Sequence, residues 1–213
     1  MSSLSTLREC AQSYFDGSTS PAHDWHHVQR VERLADNLAD EYPEADRRTL
    51  RAAVLLHDIG RAREDRGEIG DHAAWGAREA REVLPEHGFE DHKQIDAICH
   101  AIAVHRFSTD PEPETLEAKL LCDADNLDAL GAVGVARCFT YGGERGEVIH
   151  DPDLPPEADD SAVGATQCNH FHKKILDLPE RMYTDAGREI AADRSDFVEQ
   201  FLERFEQEVA GQR

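Results

Sequence analysis

Residues 48–60, RTLRAAVLLHDIG, carry the reading that decides the fold. Leu50, Ala53, Val54 and Leu56 recur three and four apart, the spacing of one face of an α-helix. The periodicity predicts a helix over 48–59, stopped by Gly60 as its C-cap, with His57 and Asp58 in its last turn. A carboxylate in so apolar a stretch is costly to bury alone, so a cation is expected beside Asp58.

The segments on either side repeat the helical period. In 24–42, DWHHVQRVERLADNLADEY, the positions Val28, Val31, Leu34, Ala35 and Leu38 form a second stripe, with Asp24 as N-cap and Pro43 as the stop. This helix carries His26 and His27. Residues 61–70 are charged and bounded by glycines, which predicts a loop beside the His-Asp pair. Helices are expected over 71–84 and 94–105, then a long one from Thr115 to Leu130 that sets Asp125 at mid-helix, and another around 133–139. Residues 141–160, with Gly142, Gly143, Gly146, Pro152, Pro155 and Pro156, read as a lid-like loop. Closing helices are expected over 162–178 and 190–209, the last with Phe197, Phe201, Leu202 and Phe205 on one stripe. No composition shift divides the 213 residues, so the expectation is a single all-α domain, a helical bundle with the closing helices on the same core.

Composition excludes some functions. Asp and Glu number 44 against 23 Lys and Arg, a formal net charge of −21, so a nucleic acid meeting the whole surface is repelled. The four lysines are Lys93, Lys119, Lys173 and Lys174. An acidic excess with so little lysine fits a salt-rich cytoplasm, where a Debye length of about 3 Å in molar salt makes self-repulsion tolerable. Cys10, Cys99, Cys122, Cys138 and Cys168 are odd in number and form no CxxC pair, which predicts reduced thiols. Neither a signal sequence nor a run of ~20 apolar residues is present, so a cytoplasmic, membrane-free protein is expected.

Imidazoles and carboxylates together suit a hydrolytic divalent metal. Besides His57 and Asp58, the candidates are the histidines of HHVQRV (26–31) and the aspartates of CDADNLDALG (122–131).

The order His, His-Asp, Asp resembles the HD-domain superfamily of metal-dependent phosphohydrolases. The segments HDWHHVQRV (23–31), AAVLLHDIG (52–60), LEAKLLCDADNLDALGAVGVARCFTYGG (116–143) and NHFHKKILDL (169–178) are similar to successive blocks of its small YpgQ-type nucleotide pyrophosphohydrolases. The resemblance implies an HD helical fold and a ligand set of His27, His57, Asp58 and Asp125, preferring His27 to His26 and Asp125 to Asp123 or Asp128. It implies a divalent cofactor, Mn²⁺ first, with Mg²⁺, Co²⁺, Ni²⁺, Fe²⁺ or Zn²⁺ as substitutes. The implied reaction is release of pyrophosphate from nucleoside or deoxynucleoside triphosphates by metal-activated water. The alternatives are a phosphomonoesterase on nucleoside monophosphates and a metal- and nucleotide-sensing module without turnover.

Other residues take expected roles around that set. Asp58 doubles as a catalytic carboxylate, and Glu64 or Asp65 is a candidate general base or water-orienting group. They lie farther from the His-Asp pair than the Glu-Asp pair of enzymes that cleave ppGpp. Asp128, one turn past Asp125, is expected to hold water or support a ligating histidine. Arg30, His72, His105 and Lys174 are the expected substrate contacts, and the implied partners are a small nucleotide and a second copy of the chain.

Overall fold

The computed structural model describes residues 3–15, 19–106 and 112–212. The chain divides into two compact units, Met1–Asp125 and Asn126–Arg213. Among the described residues the regular structure is helical, and a lone bridge between Val148 and Thr166 is its only β pairing.

In the first unit α1 spans Ser3–Gln12, α2 Trp25–Asp40, α3 Arg47–Leu56, α4 Arg61–Asp65, α5 His72–Glu86 and α6 His92–Val104. The seventh helix, α7, runs over Leu116–Asp128, across the boundary between the units. Leu50, Ala52, Ala53, Val54, Leu55 and Leu56 of α3 are all buried, a face wider than the expected stripe, while Arg47, Arg48 and Arg51 keep a polar edge on its first half. Its neighbours α1, α2, α5 and α6 pack around it. Aspartate N-caps start four of these helices: Asp24, Asp46, Asp71 and Asp91 each accept a backbone N–H of the first turn. Part of the acidic excess therefore satisfies helix ends.

Several boundaries differ from expectation. Helix α3 ends at Leu56, and Gly60 is not its left-handed cap, since φ there is −89°. Gly60 is instead required by close approach: a Cβ would stand 2.8 Å from the His72 carbonyl oxygen and 3.0 Å from the Trp75 ring. The segment 61–70 is not all loop, because α4 occupies its first half. Asp125 lies in the last turn of α7 rather than at its middle.

The second unit is built from α8 (Gly131–Glu144), α9 (Gln167–Lys173) and α10 (Asp185–Val209), with 3-10 turns at Pro156–Ala158 and Ile175–Arg181. Gly142, expected in the loop, lies inside α8, where a Cβ would overlap the Gln167 side chain at 2.1 Å. The irregular segment starts only at Arg145 and turns through Gly146 at φ +68°. The helix expected over 162–178 is shorter because 159–165 folds around a buried carboxylate: Asp159 accepts from the amides of Ser161 and Ala165 and from Asn169. Thr166 then caps α9, and Thr184 caps an α10 that begins five residues before Ile190. Phe139, Phe171, Phe201 and Phe205 stack with centroids near 6 Å, as at 5.7 Å for Phe139 and Phe171. Phe197 is not part of that stripe and is 45% exposed. No helix among the described residues is long and apolar enough to cross a membrane.

Candidate metal centre

The centre of the first unit is a set of imidazoles around one carboxylate. The Asp24 cap fixes the first turn of α2 by accepting the His27 amide at 2.9 Å, and His27 is fully buried while the adjacent His26 is exposed and bonds Gln29. His57 and Asp58 follow α3 in a tight turn, closed by the Arg61 amide on the Asp58 carbonyl at 2.9 Å. His72 is the first residue of α5, His105 caps the end of α6, and Asp125 comes from α7. Gly60 lets α5 come close enough to bring His72 to Asp58.

Asp58 faces two groups of partners. Its Oδ2 lies 3.6 Å from His27 Nε2, 3.9 Å from His57 Nε2 and 3.3 Å from His23 Nδ1. Its Oδ1 lies 3.1 Å from His72 Nε2 and 3.7 Å from His105 Nε2. Nε2 of His27 and Nε2 of His57 stand 3.3 Å apart, and Asp125 Oδ1 is 3.3 Å from the His27 atom. Ligand atoms of His27, His57 and Asp125 lie within 4.8 Å of one another, as do those of His57, Asp58 and His105 and those of His23, His27 and Asp58.

Hydrogen bonds at the far nitrogens decide which atoms carry protons. His57 donates Nδ1–H to the Val54 carbonyl at 2.8 Å, and His105 donates its own to Ile102 at 2.7 Å. Each neutral ring therefore presents a bare Nε2 to the centre. Burial drives the His57 pKa down to about 4, with its histidine neighbours adding and Asp58 and Asp125 opposing, so the ring is neutral at pH 7. For Asp58, burial alone would raise the pKa. The imidazoles gathered on it, His57 first and then His105, His23 and His72, outweigh that cost and hold the carboxyl well below the usual range. Asp125 is likewise held far down, its burial outweighed by His27. Bare nitrogens and ionised oxygens thus converge without protons enough to join them, and a divalent cation fits that donor set.

A charged ring surrounds these groups. Glu64 accepts from His72 Nδ1 at 2.7 Å, from the His72 amide at 3.3 Å and from Arg106 at 3.1 Å, and Arg61 lies 3.4 Å away. His72, between Glu64 and Asp58, has a raised pKa because the two carboxylates outweigh its burial. Asp65 is farther out, 3.8 Å from the Arg61 Nε. Arg30 lies one turn beyond His27 on α2. His100 accepts from the Glu114 amide at 3.0 Å. In the second unit Asp128 is buried against Arg137 at 3.0 Å, and Lys174 ends α9, its amide on the His170 carbonyl. His23 and Arg61, both in contact with the centre, were not among the expected site residues. His23 lies before the α2 cap, where no helical period points to it.

Comparison with known proteins places this geometry. A sequence model of the HD domain matches residues 24–130. The chain is 32% identical to YpgQ of Bacillus subtilis over 209 residues, 96% of this chain and 93% of that one. The crystal structure of Bacillus subtilis YpgQ in complex with ADP is similar, with a TM-score of 0.75 and 29% identity over 99% of this chain and 100% of that one. An HD-superfamily hydrolase from Bacillus thuringiensis has a TM-score of 0.74 and 32% identity, covering 97% of this chain and 96% of that one. The sequence match, the near full-length relative and the all-helical neighbours agree: this chain belongs to the HD-domain family, within its superfamily of hydrolases.

Proposed function

We propose that the protein is a metal-dependent phosphohydrolase of small nucleotides that releases pyrophosphate from nucleoside and deoxynucleoside triphosphates. The observation that carries this reading is the convergence of His27 and His57 Nε2 with the carboxylates of Asp58 and Asp125. These four are assigned as ligands of a divalent ion, with Mn²⁺ as the native choice. Such an ion supplies Lewis acidity toward a phosphoryl oxygen and lowers the pKa of water toward ~7.

The chain's own groups do the rest. The Val54 and Ile102 carbonyls hold His57 and His105 with Nε2 inward, so neither ring must reorient when the site fills. His72 and His105 line the Oδ1 side of Asp58, and His72, held between the Asp58 and Glu64 carboxylates, is the one that can turn an N–H to a substrate oxygen. Arg61 and Arg106, gathered on Glu64, and Arg30 on α2 set positive charge against the phosphates of an otherwise repelled substrate. The ADP complex of YpgQ supports a nucleotide as the ligand class. The net charge of −21 supports a salt-rich cytoplasm as the setting and small molecules rather than nucleic acid as partners.

The test is a panel of nucleoside and deoxynucleoside triphosphates and monophosphates with Mn²⁺-loaded protein in high salt, scored for pyrophosphate and orthophosphate. Pyrophosphate with the matching monophosphate is the expected outcome. Release of neither product from any member overturns the reading, and orthophosphate from monophosphates alone replaces it with a phosphomonoesterase.

A further inference from the structure

His23 bridges two groups of opposite demand. Its Nδ1 lies 3.3 Å from Asp58 Oδ2, and its Nε2 lies 3.2 Å from the Arg61 NH2. A guanidinium offers five N–H donors and no acceptor, so the nitrogen that faces it must accept. In the neutral ring the proton is then on Nδ1, where the Asp58 carboxylate receives it. His57, His105 and His72 are wired in the reverse sense, with Nδ1 directed outward to an acceptor and Nε2 inward.

We propose that His23 is a positioning residue for Asp58, a hydrogen-bond donor and not a metal ligand, with Arg61 as the group that pins its proton to Nδ1. The proposal rests on the reading of Asp58 as a ligand. It removes His23 from a trio whose atoms otherwise lie close enough to share an ion, because the lone pair that a metal would need is occupied by the proton. It also gives His23 a reason to occupy the more open edge of the centre, where its side chain is 20% exposed against 0% for His27 and His57. From there the N–H on Oδ2 restrains rotation of the carboxylate, so each oxygen keeps its own partners.

Asparagine and glutamine separate the two nitrogens of histidine. His23→Asn can place an amide N–H near the position of Nδ1, whereas His23→Gln reaches toward that of Nε2. By titration of metal-free protein with Mn²⁺, His23→Ala and His23→Gln should weaken binding about 10- to 100-fold, and His23→Asn should stay within about threefold of wild type. Nitrogen-15 spectra of the wild-type imidazole should show a protonated Nδ1 with and without Mg²⁺, and that preference should be lost in Arg61→Met. A bare Nδ1 in the metal-free protein, a metal-induced shift at Nδ1, or equal binding by the Asn and Gln variants overturns the proposal. Should His23→Ala fail to fold, the wild-type spectra and the Asn–Gln pair still decide. None of these readouts requires turnover, so a protein that passes them yet cleaves no nucleotide overturns the proposed reaction alone.

Discussion

The α-carbon of Gly60 packs so tightly beneath His72 that an added Cβ would stand 2.8 Å from the His72 carbonyl oxygen. Backbone cannot yield as a flexible side chain does, so Gly60→Ala must push the start of α5 away from the turn that bears Asp58. A loss of about 1–3 kcal/mol in stability is expected, as for other overpacked sites. Mn²⁺ affinity should fall with it, because His72 rides on the displaced backbone. Urea denaturation and Mn²⁺ titration of the same variant check both.

Asp58 is the carboxylate that every imidazole of the centre meets, so Asp58→Ala should abolish turnover. Partners that merely support a ligand typically account for about 10- to 100-fold, and loss of Asp58 itself should exceed that. Mn²⁺ at about 100 times its Kd should raise wild-type stability by about 2.7 kcal/mol and leave Asp58→Ala unchanged. Chelation should reverse the gain. Thermal scans with and without Mn²⁺ and a chelator provide the measurement.

Asp46 predicts a pH dependence far from the centre. It caps α3 and accepts from the Thr49 hydroxyl at 2.7 Å, the amides of Arg48 and Thr49, and Gln94. Partial burial opposes ionisation, but these donors outweigh it and lower its pKa. Because the folded value is the lower one, the contribution is complete above the unfolded value of about 3.9 and is lost as pH falls through the folded value. Asp46→Ala should cost about 1 kcal/mol at pH 7. The difference from wild type in urea midpoint should close in acid, below pH ~4.

Asp159 and Lys173 hold the irregular segment of the second unit. The Lys173 ammonium donates to the carbonyls of Asp159 and Ser161, and Asp159 gathers two amides and Asn169. Asp159→Ala should release 159–165 and speed proteolytic nicking there severalfold, with α10 left intact. Mass spectrometry of limited digests locates the cuts.

The sequence is most informative where chemistry and period coincide. Val54, Leu56, His57 and Asp58 announce both a helix and its burden, and the Asp24 cap is legible because a short acidic residue precedes an apolar stripe. Gly60 shows the limit. A glycine after a helix suggests a left-handed cap, whereas the need here comes from His72 and Trp75, distant in sequence and visible only once α5 has packed. Gly142 misleads for the same reason, its neighbour being Gln167. His23 and Arg61 escape because a residue before a cap and a residue in a short helix carry no periodic signal. The boundary after Asp125 falls within α7, where composition does not change.

The burial of the apolar face of α3 beneath its neighbours has a consequence for the metal-free protein. Amides of a helix wrapped by four others exchange with solvent chiefly through global opening, so this helix belongs to the slowest-exchanging part of its unit. The turn bearing His57 and Asp58 is rooted directly in it. The centre is thereby held in shape before any ion arrives, and filling it requires little ordering of the chain.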